Sequence, residues 1–285
     1  MTEQQMLKLY PELKLMPRGN FKEALWRELR RIKPMITSTY RREGFRTVTP
    51  YATVSNMTQM TDFLKRAFDG EVTHQSTGSA GGLHAEVRLG TSILMLGQAM
   101  EKWPAMPVAL HYFVPDVDAV YQRAIAAGAT VLMGDVGKPA ARPYGEYSAF
   151  VEDPGGNYWY LGSRIGNSEP VTQPLISYLH PKSATQMINF MTDVFGAREE
   201  GRYADGGRIM HASVMIGDSV VEMGEGAEPK PQSLYVYVED PDAVYKRAIA
   251  AGAKSLWETA DHGYGEMVAG FTDPQGNHWF VARLI

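Results

Sequence analysis

The sequence predicts an α+β protein built from two tandem copies of one module, preceded by a helical extension. Its 285 residues suit about two domains of roughly 150 residues each. The segments DAVYQRAIAAGA at 118–129 and DAVYKRAIAAGA at 242–253 differ at one of twelve positions. Matching segments also lie on both sides of this pair, so the duplication covers most of the chain.

The two copies align throughout, with an offset that shrinks along the chain. His84 aligns with His211 at an offset of 127 residues, the near-identical segments align at 124, and Tyr144 aligns with Tyr264 at 120. This drift indicates short deletions in the loops of the second copy, which a retained fold tolerates. The repeat predicts three parts: an N-terminal helical extension over 1–46, a first module over 47–165 and a second module over 172–285.

Within each copy the pattern predicts a strand, a helix, three strands, a second helix and further strands. The first helix of the second copy ends at Gly196, and the second helix of the first copy begins at Asp118. Alternation in LHAEVRL puts His84 and Glu86 on the face away from the helices. Strand signals lie at LHAEVRL, TSILML, ALHYFV, SAFVED and NYWYLG, and at MHASVMI, DSVVEM, SLYVYV and HWFVAR.

Composition and missing motifs exclude several classes of protein. The absence of cysteine excludes disulfides, thiolate metal sites and cysteine nucleophiles. A net charge of -4 argues against a protein that coats nucleic acid. The sequence contains no run of 18 or more apolar residues, so no membrane-spanning helix is expected. Neither dinucleotide-binding nor P-loop glycine motifs occur, so no nucleotide cofactor is expected. We expect a cytoplasmic monomer or homodimer that binds a small-molecule ligand, with no nucleic-acid or membrane partner.

The N-terminal extension differs from the modules in charge. FKEALWRELRRIK at 21–33 predicts an amphipathic helix ended by Pro34. Lysine and arginine dominate residues 1–46, whereas the rest of the chain is acidic. Opposite charges attract, so the extension is expected to pack across the modules or a partner subunit.

The element order, the repeated YGE motif and the segments DPGGNYWYL and DPQGNHWFV resemble the vicinal oxygen chelate superfamily. This group includes glyoxalase I, bleomycin-resistance proteins and extradiol dioxygenases, and the resemblance covers both modules. It implies two tandem glyoxalase-like modules of paired βαβββ units with curved mixed sheets. It also implies a ligand cavity where the sheets of the two modules meet.

The resemblance further implies two composite sites at the superfamily's metal-ligand positions. The second site offers weak or non-ligating groups, so it is expected to be metal-free. At the first site, only the imidazole of His111 and the carboxylate of Glu222 are good metal ligands. A divalent metal at these two residues therefore stays an open alternative, and no metal ligand is assigned. The first set is Tyr178, Glu222, His111 and Tyr160, and the second is Tyr51, Met95, Tyr235 and Phe280.

The candidate catalytic residues are Glu222, His111 and His211. Glu222 stands in an otherwise apolar strand, where a carboxylate needs a partner or a raised pKa, so it is a candidate general base. His111 or His211 would polarise a substrate oxygen. Aromatic walls favour flat or apolar ligands. The candidate substrate-binding residues are Tyr51, His84, Phe113, Tyr160, Tyr178, Tyr235, Tyr237 and Phe280.

Two functions therefore stay open. The first is a protein that binds a small organic molecule in an aromatic pocket between its modules, with or without proton abstraction or isomerisation next to a carbonyl. The second is a non-catalytic drug-sequestering or ligand-sensing protein. The YGE glutamates Glu146 and Glu266 are interpreted as turn residues without chemistry, and His74, His180 and His262 are expected near exposed loops.

Overall fold

A computed structural model describes residues 40–78, 81–166, 171–226 and 228–285. Residues Tyr40–Ile285 form one compact unit. Most of the predicted N-terminal extension, including the helix expected at 21–33, lies outside the described residues. Only its last part, Tyr40–Arg46, can be placed.

The described chain consists of four successive βαβββ units, two in each predicted module. The first unit holds β1 (Val48–Val54), α1 (Met57–Phe68), β2 (Glu71–Thr77), β3 (Leu83–Leu89) and β4 (Ser92–Gln98). The second holds β5 (Ala109–Phe113), α2 (Val117–Ala126), the short β6 (Thr130–Val131) and β7 (Ala140–Ala141), β8 (Glu146–Glu152) and β9 (Tyr158–Arg164). The third holds β10 (Leu175–Leu179), α3 (Ala184–Phe195), β11 (Arg198–Asp205), β12 (Arg208–Ile216) and β13 (Ser219–Met223). The fourth holds β14 (Ser233–Tyr237), α4 (Pro241–Ala250), β15 (Lys254–Asp261), β16 (Glu266–Thr272) and β17 (His278–Leu284).

The strands form two mixed sheets, and each sheet takes one unit from each module. Sheet 1 has the order β15-β16-β17-β14-β1-β4-β3-β2. Sheet 2 has the order β11-β12-β13-β10-β5-β9-β8-β6, with β7 paired to β8. The units join through the antiparallel pairs β1–β14 and β10–β5. The α+β architecture of paired βαβββ units is therefore confirmed.

The hydrophobic cores follow the modules, whereas the sheets combine them. In the first module α1 packs on α2, and fully buried residues include Phe63 and Trp159. In the second, α3 packs on α4, with Phe271 and Trp279 fully buried. The helices thus cover one face of each sheet. The opposite face, here called the helix-free face, is lined by side chains from both modules.

Local capping fixes where the helices begin and end. The Asp116 side chain accepts a hydrogen bond from Ala119 N at 2.9 Å, so α2 begins at Val117. The start predicted at Asp118 was wrong by one residue, because Asp118 belongs to the first turn. Gly196 ends α3 with φ of 67°, as its sequence position predicts. None of the helices in the described ranges has the length and apolarity needed to cross a membrane.

The DPxGN loops tie the last strand of each module to its core. Asp153 accepts hydrogen bonds from Gly155 N at 2.7 Å and from the side-chain nitrogens of Asn157 and Trp159, each at 2.9 Å. Asp273 binds its own loop and the Trp279 indole at 2.8 Å in the same way. The repeated motif therefore holds a buried tryptophan at the same place in both modules.

Candidate functional site

The helix-free face of sheet 2 brings together the first predicted composite set. Tyr178 pairs with Glu222 across β10 and β13, and His111 pairs with Tyr160 across β5 and β9. Ile176 lies opposite His111 where β10 meets β5. Residues opposite each other in a ladder share a face, and so do residues two apart. The four side chains therefore lie on one surface formed by both modules.

His111 lies between two carboxylates on this surface. Its Nδ1 is 2.8 Å from Oε2 of Glu222, and its Nε2 is 3.5 Å from Oε2 of Glu146. His111 and Glu222 are each 8% exposed. The neighbouring residue on β9 is Gly162, where a Cβ would lie 2.7 Å from Nε2 of His111. The glycine thus gives the imidazole the space to lie across the sheet.

The two carboxylates determine the charge of His111. Burial alone would lower the pKa of His111, but Glu146 and Glu222 outweigh it and raise the pKa to about 9. Burial would raise the pKa of Glu222, but the hydrogen bond and charge of His111 hold it below its ordinary value. At neutral pH the site therefore contains an imidazolium paired with a carboxylate. A carboxylate whose pKa is lowered is a weak general base.

Aromatic side chains surround this charged pair. The ring of Phe113 lies 4.1 Å from that of His111, between centroids. Tyr160 lies 5.0 Å from Tyr178 and 5.5 Å from Phe150, edge-on in both cases. Burial raises the pKa of both tyrosines, so their hydroxyl groups are neutral. A charged hydrogen-bonding group beside an aromatic wall suits a flat molecule with a polar edge.

Two further histidines lie at the side of this surface. His180 is half-buried, and its Nε2 is 2.8 Å from the Tyr160 hydroxyl group. The exposed position expected for His180 was therefore wrong, because the residue directly follows β10 and turns towards β9. Burial and the charge of Lys230 lower the pKa of His180 to about 4, so its ring is neutral. The half-buried ring of His211 lies 5.9 Å from Tyr178.

The remaining predicted residues lie on the helix-free face of sheet 1. Tyr51 pairs with Met95, Tyr235 pairs with Phe280, and the rings of Tyr51 and Phe280 are 5.3 Å apart. Burial raises the pKa of Tyr51 to about 12. The predicted ligand-binding residues therefore divide between two surfaces. Sheet 2 holds Phe113, Tyr160 and Tyr178, and sheet 1 holds Tyr51, His84, Tyr235, Tyr237 and Phe280.

The glutamates of the YGE motifs belong to these surfaces, which the sequence interpretation missed. Glu146 faces His111, and Glu266 is only 3% exposed. Glu266 accepts hydrogen bonds from the hydroxyl groups of Tyr235 and Tyr237, the latter at 2.7 Å. The signal was available in the sequence, because both motifs directly begin a strand. Alternation along that strand puts the glutamate on the helix-free face.

A segment that precedes β1, Tyr40–Arg46, covers part of sheet 1. We call it the leading segment. Arg42 forms a bidentate ion pair with Glu86, which is 2% exposed. The guanidinium of Arg42 also lies 4.5 Å from the centroid of the Phe45 ring. Phe45 in turn meets Tyr237 edge-on at 5.8 Å. The chain's own side chains thus occupy the part of the face around Glu86 and Tyr237.

The same contacts change the interpretation of His84. Nε2 of His84 lies 3.6 Å from Oε1 of Glu86 on the shared face of β3. The nearer partner of Glu86 is Arg42, with Nη2 to Oε2 at 2.9 Å. Burial would raise the pKa of Glu86, but His84 and Arg42 hold it below its ordinary value. Glu86 is therefore chiefly a buried counter-ion for the leading segment.

The donor set on sheet 2 does not fit a divalent metal ion. The Nδ1 atom of His111 is engaged by Glu222, and the other two ligand positions hold neutral phenols, Tyr160 and Tyr178. Such phenols are poor ligands for ordinary divalent ions. Within the part of the chain that the structure describes, no three His, Asp or Glu side chains form a metal-binding group.

Four βαβββ units in two mixed sheets, with polar residues gathered on the helix-free faces, define a glyoxalase-like protein. The sequence model of the Glyoxalase/Bleomycin resistance protein/Dioxygenase superfamily matches residues 47–161 and 181–281. The chain belongs to this superfamily.

Solved structures of low sequence identity share the fold of this chain. Glyoxalase I from Zea mays is 15% identical, with a TM-score of 0.65 over 83% of this chain and 92% of that one. A putative dioxygenase from Bacillus subtilis is 12% identical, with a TM-score of 0.57 over 82% and 83%. At these identities the likeness shows the fold alone. An uncharacterized protein of Mycobacterium bovis is 32% identical over 134 residues, 42% of this chain and 86% of that protein.

Proposed function

We propose that the helix-free face of sheet 2 binds a small, flat organic molecule that carries a carbonyl oxygen. One observation carries this proposal: the buried His111 ring lies beside an aromatic wall, with its two nitrogens unequally engaged. Nδ1 is committed to Glu222 at 2.8 Å. Nε2 lies 3.5 Å from Glu146, which is too long for a strong hydrogen bond. The Nε2–H group is therefore the donor that a ligand oxygen would engage.

The contrast between the two sheets favours sheet 2 as the binding face. On sheet 1, Arg42 neutralises Glu86 and Phe45 packs against Tyr237, so the leading segment already supplies a cation and an aromatic ring. On sheet 2, the corresponding charged group is His111, which keeps a weakly engaged donor. A ligand on sheet 2 would gain a charge-assisted hydrogen bond and ring contacts together.

Acetophenone and its reduced form, 1-phenylethanol, test this proposal by titration calorimetry. The ketone presents an acceptor oxygen in the plane of the ring and is expected to bind the wild type more tightly. His111→Gln should weaken acetophenone binding about tenfold, the effect of losing one hydrogen bond to a charged group. Tyr51→Phe on sheet 1 is the control and should leave binding unchanged. Equal affinity for the ketone in wild type and His111→Gln contradicts the proposal.

A second candidate is proton abstraction or isomerisation next to a carbonyl, with Glu222 as base and His111 or His211 polarising the oxygen. The buried position of Glu222 against an imidazolium favours it. Its lowered pKa makes Glu222 a weak base, so binding without turnover is better supported. Exchange of the acetophenone methyl protons in D₂O separates the two. Exchange above the buffer rate that Glu222→Gln abolishes supports catalysis, and exchange at the buffer rate supports a sequestering or sensing protein.

A further inference from the structure

We infer that the ligand of the sheet 2 face carries a hydroxyl group at the end opposite its carbonyl oxygen. The phenol oxygen of Tyr160 accepts a hydrogen bond from this hydroxyl group, while the Nε2–H group of His111 donates to the carbonyl oxygen. The simplest molecule of this class is a para-hydroxyaryl ketone. This ligand class rests on the function proposed above, because His111 holds the carbonyl end in both.

His111 and Tyr160 lie opposite each other in the β5–β9 ladder, and their side chains extend towards opposite ends of the face. His111 extends towards Gly162, two residues further along β9, where a Cβ would lie 2.7 Å from its Nε2. The Tyr160 hydroxyl group instead lies 2.8 Å from Nε2 of His180, which follows the last residue of β10. Because β10 runs antiparallel to β5, with Ile176 opposite His111, His180 lies beyond the first residue of β5. The two polar atoms therefore suit the two ends of one elongated molecule.

The neutral imidazole of His180 determines the direction of its hydrogen bond with Tyr160. Burial and the charge of Lys230 lower the pKa of His180, so the ring carries a single N–H group. A hydrogen bond with the backbone of Gly224 acts in the opposite direction and raises this pKa, as a carbonyl group that accepts from a ring N–H does. A Cβ at Gly226 would lie 3.7 Å from Nδ1, so Nδ1 faces the same segment. The proton therefore belongs on Nδ1, and Nε2 accepts from the Tyr160 hydroxyl group.

The Tyr160 oxygen is left as an acceptor. A phenol has one proton to donate, and this one is directed at His180. Among the residues that the structure describes, His180 is the only hydrogen-bond partner of this hydroxyl group. Burial raises the pKa of Tyr160, so the phenol keeps its proton. A ligand oxygen without a proton would meet a lone pair there, whereas a ligand hydroxyl group would find an acceptor.

This end of the face is open to solvent and bordered by rings. Tyr160, Tyr178 and His211 are each half-buried. The ring of Tyr178 meets that of Tyr160 edge-on at 5.0 Å. The Tyr178 hydroxyl group lies against the backbone at Gly224, where a Cβ would come within 2.7 Å of it. A flat ligand can therefore reach the Tyr160 oxygen between aromatic walls.

The duplication shows that the fold does not require the Tyr160–His180 hydrogen bond. Phe280 stands at the position equivalent to Tyr160, opposite Tyr235 in the β14–β17 ladder. Thr53 stands at the position equivalent to His180, at the same offset of 127 residues that relates Tyr51 to Tyr178. Neither partner is repeated in sheet 1, although its strands pair in the same order. The pair therefore belongs to the site on sheet 2.

para-Hydroxyacetophenone and para-methylacetophenone, which match in size, test the acceptor by titration calorimetry on the full chain. The wild type should prefer the hydroxyl compound about fivefold, the effect of one net hydrogen bond. Tyr160→Phe, which keeps the ring and removes the oxygen, should abolish this preference. Tyr147→Phe is the matched control, because the Tyr147 hydroxyl group donates to Asp118 at 3.2 Å, away from the face. Equal affinities in the wild type, or a preference that Tyr160→Phe retains, overturns the inference.

para-Methoxyacetophenone tests the direction of the hydrogen bond, because its ether oxygen has no proton. The wild type should bind it about fivefold more weakly than the hydroxyl compound. His180→Phe releases the Tyr160 proton, which can then be donated to the ether oxygen, so the ratio of the two affinities should fall towards one. A ratio that His180→Phe leaves unchanged contradicts the role of His180.

A ligand-free measurement tests the same assignment. Nitrogen-15 NMR of the His180 imidazole at about pH 7.5, assigned by comparison with His180→Phe, should show a proton on Nδ1 and none on Nε2. A proton on Nε2 overturns the inference. Failure of this ligand class is distinguishable from failure of the proposed function. If acetophenone binds through His111 and the hydroxyl group adds nothing, only the ligand class is wrong, whereas binding of none of these ketones overturns both.

Discussion

Raising the pH should remove the positive charge held between Glu222 and Glu146, and this should destabilise the fold. The pKa of the His111 imidazole is about 9 in the folded protein, against an ordinary value of 6.5. Because the folded pKa is higher than the unfolded one, the charged imidazole stabilises the fold. This stabilisation is fully present below about pH 6.5, declines as the pH rises to about 9, and is lost above that pH. A shift of this size corresponds to about 3 kcal/mol of unfolding free energy. Glu222 belongs to the same pair, so its own shift is not added.

Urea unfolding at about pH 6 and about pH 9.5 measures this contribution. Other groups titrate in the same range, so the informative quantity is the difference between wild type and His111→Gln. The wild type should lose about 3 kcal/mol more than His111→Gln between the two pH values. His74→Gln, at an exposed position on β2, is the control and should behave as wild type. Equal losses in wild type and His111→Gln would refute the reasoning.

Three substitutions test other contacts by urea unfolding. Gly162→Ala places a methyl group against His111, so it should cost about 1–3 kcal/mol and lower the pKa of that imidazole in an NMR titration; an unchanged pKa argues against the close approach. Arg42→Ala leaves the buried Glu86 carboxylate with only His84 beside it, at 3.6 Å, which should cost about 2–3 kcal/mol, and adding Glu86→Gln should restore part of it. A double variant no more stable than the single one would mean that the ion pair is not the cause. Asp153→Ala removes the acceptor of an indole, an amide and backbone N–H groups and should cost about 3 kcal/mol; a loss below about 0.5 kcal/mol contradicts this.

The repeat and the local patterns predicted much of the fold. The alternation in LHAEVRL matches β3, where Ala85, Val87 and Leu89 are fully buried. The glycine after α3 ends that helix as predicted. The edge strands β2 and β11 carry no comparable signal, because every residue in them is exposed and neither face is selected for apolar side chains. Sequence periodicity therefore locates strands with one buried face and misses strands with none.

The candidate sites were only partly predictable, for a related reason. The His111–Glu222 contact follows from strand register, which duplication and resemblance supply together. The Arg42–Glu86 ion pair and the hydrogen bond between Tyr160 and His180 depend on contacts between distant segments, which leave no periodic signal. The position of Glu146 on the helix-free face could have been predicted from the sequence, because the residues of its strand alternate regularly between the two faces. The cytoplasmic location and the monomeric or homodimeric state stay predictions.

The protonation state of His111 tests the central claim most directly. Nitrogen-15 NMR of the imidazole at about pH 7.5, assigned by comparison with His111→Gln, reports each ring nitrogen separately. The structure predicts that both nitrogens carry a proton, as an imidazolium paired with Glu222 requires. One unprotonated ring nitrogen at this pH would contradict the charged site on which the proposed binding function rests.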